Sequence, residues 1–301
     1  MLDEIGSPAT MASAGPRFFG FVVGGAMPVT VAANWLAGAW DQNAPAIVLS
    51  PAGSALERIA ISWLVELFGF PQGTWGTLVT GATEANFTGL AAARQALLHR
   101  QGWDVAVKGI FGAPKLRVVV GEEVHVSALL ALRVLGFGRE DMIRVPTDSQ
   151  GRMRADALPE LDSNTIVCLQ AGNVNSGAFD PAEEICKRAR QAGAWVHVDG
   201  AFGLWAAAAP ARQHLVAGVA EADSWATDAH KWLNVPHDCG IVFCREPKYL
   251  IMAMALDPAA YIDEAREVGD PDDYSLQMSR RVRGVEVWAA LRTLGRSGLG
   301  D

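Results

Sequence analysis

Lys231 stands between His230 and Trp232 in the stretch "SWATDAHKWLNVPHDCG" (224–240), and it is one of only five lysines in the chain. An ammonium in so apolar a stretch must find a partner or lose its charge. A desolvated lysine is a nucleophile and forms Schiff bases with carbonyl cofactors. The plainer alternative is a lysine that snorkels to the surface from a helix start. That reading suits Lys187 and Lys248 and suits Lys231 poorly. Asp199 is the second residue of interest. It closes the strand-like run in "WVHVDGAFG" (195–203) and is followed by Gly200 and Ala201. A carboxylate at the end of an apolar strand needs a cationic or hydrogen-bonding partner, unless it caps the next turn. His197 lies two residues earlier, so both side chains leave one face of a strand. No third ligand has matching spacing, so no metal site is predicted.

The third candidate is "TGATEANFTGLAAAR" (80–94), where an apolar strand end runs through Gly81, Ala82 and Thr83 into a helix. Small residues there leave backbone N–H groups open at the helix N-terminus, which suits a phosphate, and Thr83 adds a hydroxyl. Plain capping by Thr80 or Thr83 is the alternative. The stretch is neither a Walker motif nor a dinucleotide fingerprint. His125 begins an apolar helix in "GEEVHVSALLALRVLG" (121–136); taken alone it is a cap or a packed ring.

Together these residues resemble the group II pyridoxal-phosphate-dependent amino-acid decarboxylases. The resemblance rests on an ordered set: "PRFFGF", "SPAGSALE", "TGATEAN", "EEVHVS", "AGNVNSGAFD", "HVDGAFG", "DAHKWLNVPHDCG" and "SRRVRG", covering about residues 16–297. It implies an α/β fold, the PLP-dependent transferase fold type I with an aspartate-aminotransferase-like large domain. It implies pyridoxal 5'-phosphate as cofactor and decarboxylation of an L-amino acid to its amine. Lys231 would hold the cofactor covalently, and Asp199 would pair with the protonated pyridine nitrogen. His125 would stack on the ring and orient the substrate carboxylate, with Ala201 on the other face. Ala82, Thr83 and His230 would bind the phosphate, while Asp228 would hold backbone or an arginine. The catalytic set is then Lys231, His125 and Asp199. Tyr261 or Tyr274, in the polar stretch "YIDEAREVGDPDDYS", would return a proton to the product. Relatives carry a threonine where this chain has Val174, and Asn173 or Asn175 would substitute for it. Aromatic decarboxylases carry a tyrosine where this chain has Met27. The resemblance further implies a homodimer with active sites at its interface, and a small C-terminal domain most of which lies beyond this chain. The alternatives are another reaction of the same fold (carbon–carbon lysis or transamination) and an inactive relative that only binds cofactor.

The elements that must position these residues follow from alternation. Short runs rich in β-branched residues ("RVVVG", "MIRVP", "TIVCLQAG", "WVHVDG", "CGIVFCR") alternate with helical patterns ("EANFTGLAAARQALLHR", "VSALLALRVLGFG", "PAEEICKRARQAG"). That rhythm predicts a mainly parallel sheet flanked by helices, with ligands outside the carboxyl ends of the strands. "SPAGSALERIAISWLVELFGFP" predicts an earlier helix and "SRRVRGVEVWAALRTLGRSGLGD" a final one. Arg280, Arg281 and Arg283 read as an exposed helix start or an anion site. The division expected is 1–70 for an N-terminal segment with interface helices, 71–280 for the cofactor-binding domain, and 281–301 for the start of a C-terminal region.

Bulk properties exclude other classes. Half of the 301 residues are apolar, enough for one large core, and the net charge is −8 with no basic stripe to suit nucleic acid. The apolar run 18–40 holds glycines, Pro28 and Asn34, so it predicts a buried or interfacial segment rather than a membrane span. The four cysteines lack zinc spacing; three of them lie in or beside apolar runs and read as small buried hydrophobes, in keeping with a reducing cytoplasm.

Overall fold

The computed structural model describes residues 1–15, 17–256 and 269–301. Seven strands form one sheet: β1 (Trp75–Val79), β2 (Arg117–Gly121), β3 (Met142–Val145), β4 (Thr165–Gln170), β5 (Trp195–Asp199), β6 (Ser224–Asp228) and β7 (Gly240–Cys244). Their spatial order is β1-β7-β6-β5-β4-β2-β3. The β2–β3, β2–β4, β4–β5 and β5–β6 pairs are parallel, and β7 is antiparallel to both β6 and β1. Six strands therefore point one way and β7 runs against them. The α/β, mainly parallel expectation holds.

Among the described residues eight α-helices accompany the sheet: α1 (Pro28–Trp40), α2 (Pro51–Leu67), α3 (Ala82–Arg100), α4 (Val105–Lys108), α5 (Val126–Val134), α6 (Ala182–Ala192), α7 (Lys248–Met254) and α8 (Gly284–Gly300). Side chains alternate along each strand, so successive residues enter different cores. Val119, Val167, Val196, Trp225 and Phe243 face α2, α6 and α8. Val118, Val120, Cys168, Ala226 and Val242 face α3, α5 and α7. Each fully buried Val or Leu stabilises the fold by roughly 1.5–3 kcal/mol relative to exposure. α3 is rich in alanine where it meets the sheet (Ala91, Ala92, Ala93 and Ala96, all buried), which lets the helix lie close.

Three readings need correction. β6 was not anticipated, because "SWATD" shows neither alternation nor a β-branched run; the chain forms it between two strands that satisfy its backbone. The final helix starts at Gly284 and kinks at Gly295, where φ is 60° and ψ is −172°. The three arginines are neither a solvated helix start nor an anion site. Arg280 is buried, its Nη2 3.0 Å from both Glu57 carboxylate oxygens and 2.6 Å from the Leu78 carbonyl. Arg281 pairs with Glu286 at 2.7 Å, and Arg283 with Asp238 at 3.0 Å. Glu57 and Asp238 are distant in sequence, so no local pattern foretells them. Losing one partner of the Arg280–Glu57 pair would cost about 3–5 kcal/mol. Among the described residues no helix is long and apolar enough to cross a membrane. The four cysteines are buried and unpaired.

Candidate active site

The carboxyl ends of the co-directional strands converge on one edge of the sheet. Gln170 ends β4, Asp199 ends β5 and Asp228 ends β6, with Gln170 opposite Asp199 in the register. β1 leads through Thr80 and Gly81 into α3, and β2 leads through a turn to His125, the N-cap of α5. Lys231 follows β6 by three residues. Its loop is pinned by backbone bonds from Ala229 and His230 to the Cys239 carbonyl (3.0 and 3.2 Å). Asn234, at φ 52°, turns the loop back. Its side-chain oxygen accepts from the Gly25 N–H at 2.7 Å and its carbonyl from Thr30 Oγ1 at 3.0 Å, so the N-terminal segment closes on the loop. The approach requires glycine: a Cβ on Gly24 would lie 2.1 Å from the Lys231 carbonyl oxygen.

Lys231, Asp199, His125 and Ala201 line one small cavity of roughly 120 Å³, together with Phe21, Val22, Gln170, Gly172, Val174 and Phe202. Val22, Phe202 and Lys231 also border a larger cavity of roughly 570 Å³ with Val23, Met27, Trp232 and Leu294. Phe21 and Val22 sit at φ 62° and 49°, in the left-handed region that favours glycine. For a β-branched residue that conformation is strained, and such strain concentrates at functional sites.

The two walls differ in character. Asp199 is buried, and its bonded partners are neutral: Asn86 Nδ2 donates to Oδ2 at 2.9 Å and the Ala201 N–H to Oδ1 at 3.2 Å. Burial pushes its carboxyl above the ordinary range; the Asn86 hydrogen bond, the nearby His125 and Lys231, and the Ala201 N–H pull it back. His197, on the same strand face, is fully buried and held below its ordinary value, at about 3, by burial. Its ring nitrogens contact Asn86 and Ser224, and among the described residues no group of three potential metal ligands occurs.

On the opposite wall, Lys231 has found a partner: Nζ lies 3.0 Å from Asp228 Oδ2, with 21% of the lysine side chain and 2% of the aspartate exposed. Asp228 Oδ1 accepts the Ala82 N–H at 2.6 Å. Asp228 thus holds backbone as expected, but the backbone it holds is the first N–H of α3, a group assigned above to a phosphate. Thr83 is exposed beside it. His230 Nδ1 accepts from the Cys239 N–H at 3.0 Å, which leaves its Nε2 toward Asp228 Oδ1 at 3.6 Å. Burial holds this ring below the ordinary imidazole value, against the pull of Asp228, and it stacks on His237 with ring centres 4.3 Å apart. Ala82, Thr83 and His230 therefore surround Asp228 rather than line the small cavity.

Other expectations fare differently. Asn173 does not replace a threonine at the cavity. It donates to Glu123 Oε2 at 3.0 Å and accepts the N–H groups of Asn175 and Ser176, because it caps its own turn; Val174 lines the cavity instead. Tyr274 is buried with its hydroxyl oxygen accepting the Gly269 N–H at 2.9 Å, and it lines neither cavity beside Lys231. Tyr261 lies outside the described residues. Asn86, Ser127 and Gln170 were missed. Asn86 sits one helical turn after Ala82 and so faces the same side of α3, which is the one signal that could have found it.

Comparison with known proteins decides the family. The model of the pyridoxal-dependent decarboxylase conserved domain matches residues 7–301. The chain belongs to the pyridoxal-dependent decarboxylase family. It is similar to the aromatic-L-amino-acid decarboxylase of Bacillus atrophaeus, 30% identical over 291 residues, which are 93% of this chain and 58% of the relative. It is equally similar to tryptophan decarboxylase 1 of Oryza sativa subsp. japonica, 30% identical over 94% of this chain and 59% of the relative. A crystal structure of Oryza sativa TDC with PLP and tryptamine superposes with a TM-score of 0.81 at 27% identity, covering 92% of this chain and 60% of that one. The chain thus spans somewhat under two thirds of these proteins. Its fold is that of the family, fold type I.

The family's cofactor is pyridoxal phosphate, and the residues of the small cavity fit its ring. A primary amine stands on one wall and a buried carboxylate with only neutral hydrogen-bond donors on another. An imidazole and the small Ala201 line the same cavity.

Proposed function

We propose that this chain binds pyridoxal phosphate and carries the catalytic groups of an L-amino-acid decarboxylase. The observation that supports the reading best is the shared cavity of Lys231, Asp199, His125 and Ala201. Lys231 Nζ would hold the cofactor's carbonyl end. The Asp199 carboxylate would hold the protonated ring nitrogen, a charge partner that its burial otherwise lacks. Thr83, the first N–H groups of α3 including that of Ala82, and His230 Nε2–H would hold the phosphate. Bound there, pyridoxal phosphate supplies an electron sink for the carbanion left when a substrate loses CO₂.

The protein's own groups do the rest. Asp199 keeps a proton on the ring nitrogen by staying anionic beside it. His125 covers the ring and meets the substrate carboxylate. When not joined to the cofactor, Lys231 would have its ammonium received by Asp228, 3.0 Å away. Val22, Phe202 and Trp232 keep water from the reacting end and give the larger cavity an apolar lining. That lining favours an apolar, and foremost an aromatic, side chain on the substrate, in keeping with the printed names of the similar decarboxylases. By the same resemblance the protein works as a cytoplasmic homodimer.

A second reading stays within the same site. Phenylacetaldehyde synthase of Petunia hybrida is 28% identical over 84% of this chain. A panel of L-amino acids separates the two: CO₂ with the amine supports decarboxylation, and CO₂ with an aldehyde supports the second reading. Keto acid without CO₂ would overturn both in favour of transamination, and cofactor binding with no product would leave only a binding role.

A further inference from the structure

Behind the cavity, buried side chains form one chain of hydrogen bonds whose direction is set by its ends. An indole N–H only donates, and Trp195 Nε1 gives its proton to Ser224 Oγ at 3.0 Å. At the other end Asp199 Oδ2 accepts a hydrogen bond from Asn86 Nδ2 at 2.9 Å. An amide whose nitrogen faces Asp199 turns its oxygen the other way, and there His197 Nε2 lies 2.9 Å from Asn86 Oδ1. The ring proton is therefore on Nε2. His197 Nδ1, 2.8 Å from Ser224 Oγ, accepts the serine hydroxyl. A branch leaves the same amide: Asn86 Nδ2 lies 3.3 Å from Ser127 Oγ. The Ser127 N–H points at His125 Nδ1 at 3.2 Å, which marks that nitrogen as an acceptor. The 2.7 Å contact between Ser127 Oγ and His125 Nδ1 is then donated by the hydroxyl, and the His125 proton is left on Nε2.

We propose that Asn86 is a positioning residue that ties Asp199 and His125 to a single hydrogen-bond polarity, imposed from behind by Ser224 and His197. A reversed amide would set its oxygen against the buried Asp199 carboxylate, so the arrangement has one low-energy direction. Asn86, His197 and Ser224 are each fully buried, so solvent offers none of them an alternative partner. Gly89 makes the seat: a Cβ there would lie 2.7 Å from His197 Cε1 and 2.9 Å from Nδ1. Burial keeps His197 neutral at ordinary pH, with one ring proton to place. The consequence for Asp199 and His125 as cofactor-holding groups rests on the function proposed above; the polarity itself does not.

The test is ¹⁵N NMR of histidine tautomers in the 301-residue chain at pH 7.5 without cofactor, with signals assigned by their loss in His197→Gln and His125→Gln. Both rings should carry their proton on Nε2. Ser224→Ala removes the donor to His197 Nδ1, and the His125 ring signals should shift although no bond joins Ser224 to His125 directly. A His197 proton on Nδ1 in the unaltered chain overturns the proposal, as does a Ser224→Ala chain in which His125 does not respond. If Ser224→Ala fails to fold, the two tautomers of the unaltered chain decide. Because no cofactor is present, failure of the cofactor reading leaves this result standing, and the reverse is equally true.

Discussion

The two walls of the small cavity are built on opposite plans. The Asp199 wall is made of neutral hydrogen bonds on strands β4–β6 and helix α3, buried and saturated. The Lys231 wall is made of charges on a loop: an ammonium on Asp228, Asp228 on the Ala82 N–H, and a stacked histidine pair beside them. The first wall can keep its geometry whether or not a ligand is present. On the second, each group has a partner that an anionic, carbonyl-bearing ligand would replace. The difference teaches which end recognises the ring and which end exchanges partners to capture it.

Four changes break or sharpen that contrast. The largest effect is expected at the exchanging wall: Lys231→Ala should abolish amine formation, and because it leaves the buried Asp228 without its ammonium the urea midpoint should fall as well. At the fixed wall, Asp199→Asn should weaken pyridoxal phosphate binding roughly 100-fold or more, from loss of one member of a buried charge pair worth about 3 kcal/mol; absorbance titration reads it. Next comes the structural cost of the fixed wall. Gly89→Ala should destabilise the chain by about 1–3 kcal/mol through overpacking on His197, read as a lower urea midpoint at unchanged slope. The smallest effect belongs to Asp228→Asn. It keeps an acceptor for the Ala82 N–H and removes a negative charge, so pyridoxal phosphate should bind several-fold tighter while unphosphorylated pyridoxal does not gain.

The fixed wall also has a pH signature. The His197 value in the fold, about 3, lies below its ordinary 6.5. Its neutral form is therefore favoured by folding, and this contribution is complete above about pH 6.5 and drains away as pH falls toward 3. The slope is about 1.4 kcal/mol per pH unit. Asp180, raised by burial to about 6 from 3.8, acts in the opposite sense below pH 6. The His197 slope should therefore be read as the difference between the unaltered chain and His197→Gln in urea melts across that range. Equal slopes in the two chains would contradict the assignment.

The sequence made the reacting groups legible and left their supports hidden. Lys231 and Asp199 stand out because each is at odds with its apolar surroundings or closes a strand, whereas His125 and Ala201 were legible only through the resemblance carried by the ordered motifs. Asn86, Ser224 and Gly89 look ordinary in sequence; their importance arises from contacts across more than 100 residues in the case of Asn86 with Asp199. Arg280 was misread for the same reason, since Glu57 is 223 residues away. The parallel sheet followed from the alternation of strand and helix patterns, but β6 did not. "SWATD" becomes a strand only because β5 and β7 present their edges to it. Asp228 was expected to hold backbone or an arginine; its bond to the Ala82 N–H shows that the backbone it holds is the group expected to bind phosphate.

The most direct measurement is borohydride reduction of the chain mixed with pyridoxal phosphate, followed by peptide mass mapping. The account predicts a single reduced adduct on Lys231, with labelling suppressed in Asp199→Asn at limiting cofactor. An adduct confined to Lys108, Lys115, Lys187 or Lys248, or none at all, would contradict it.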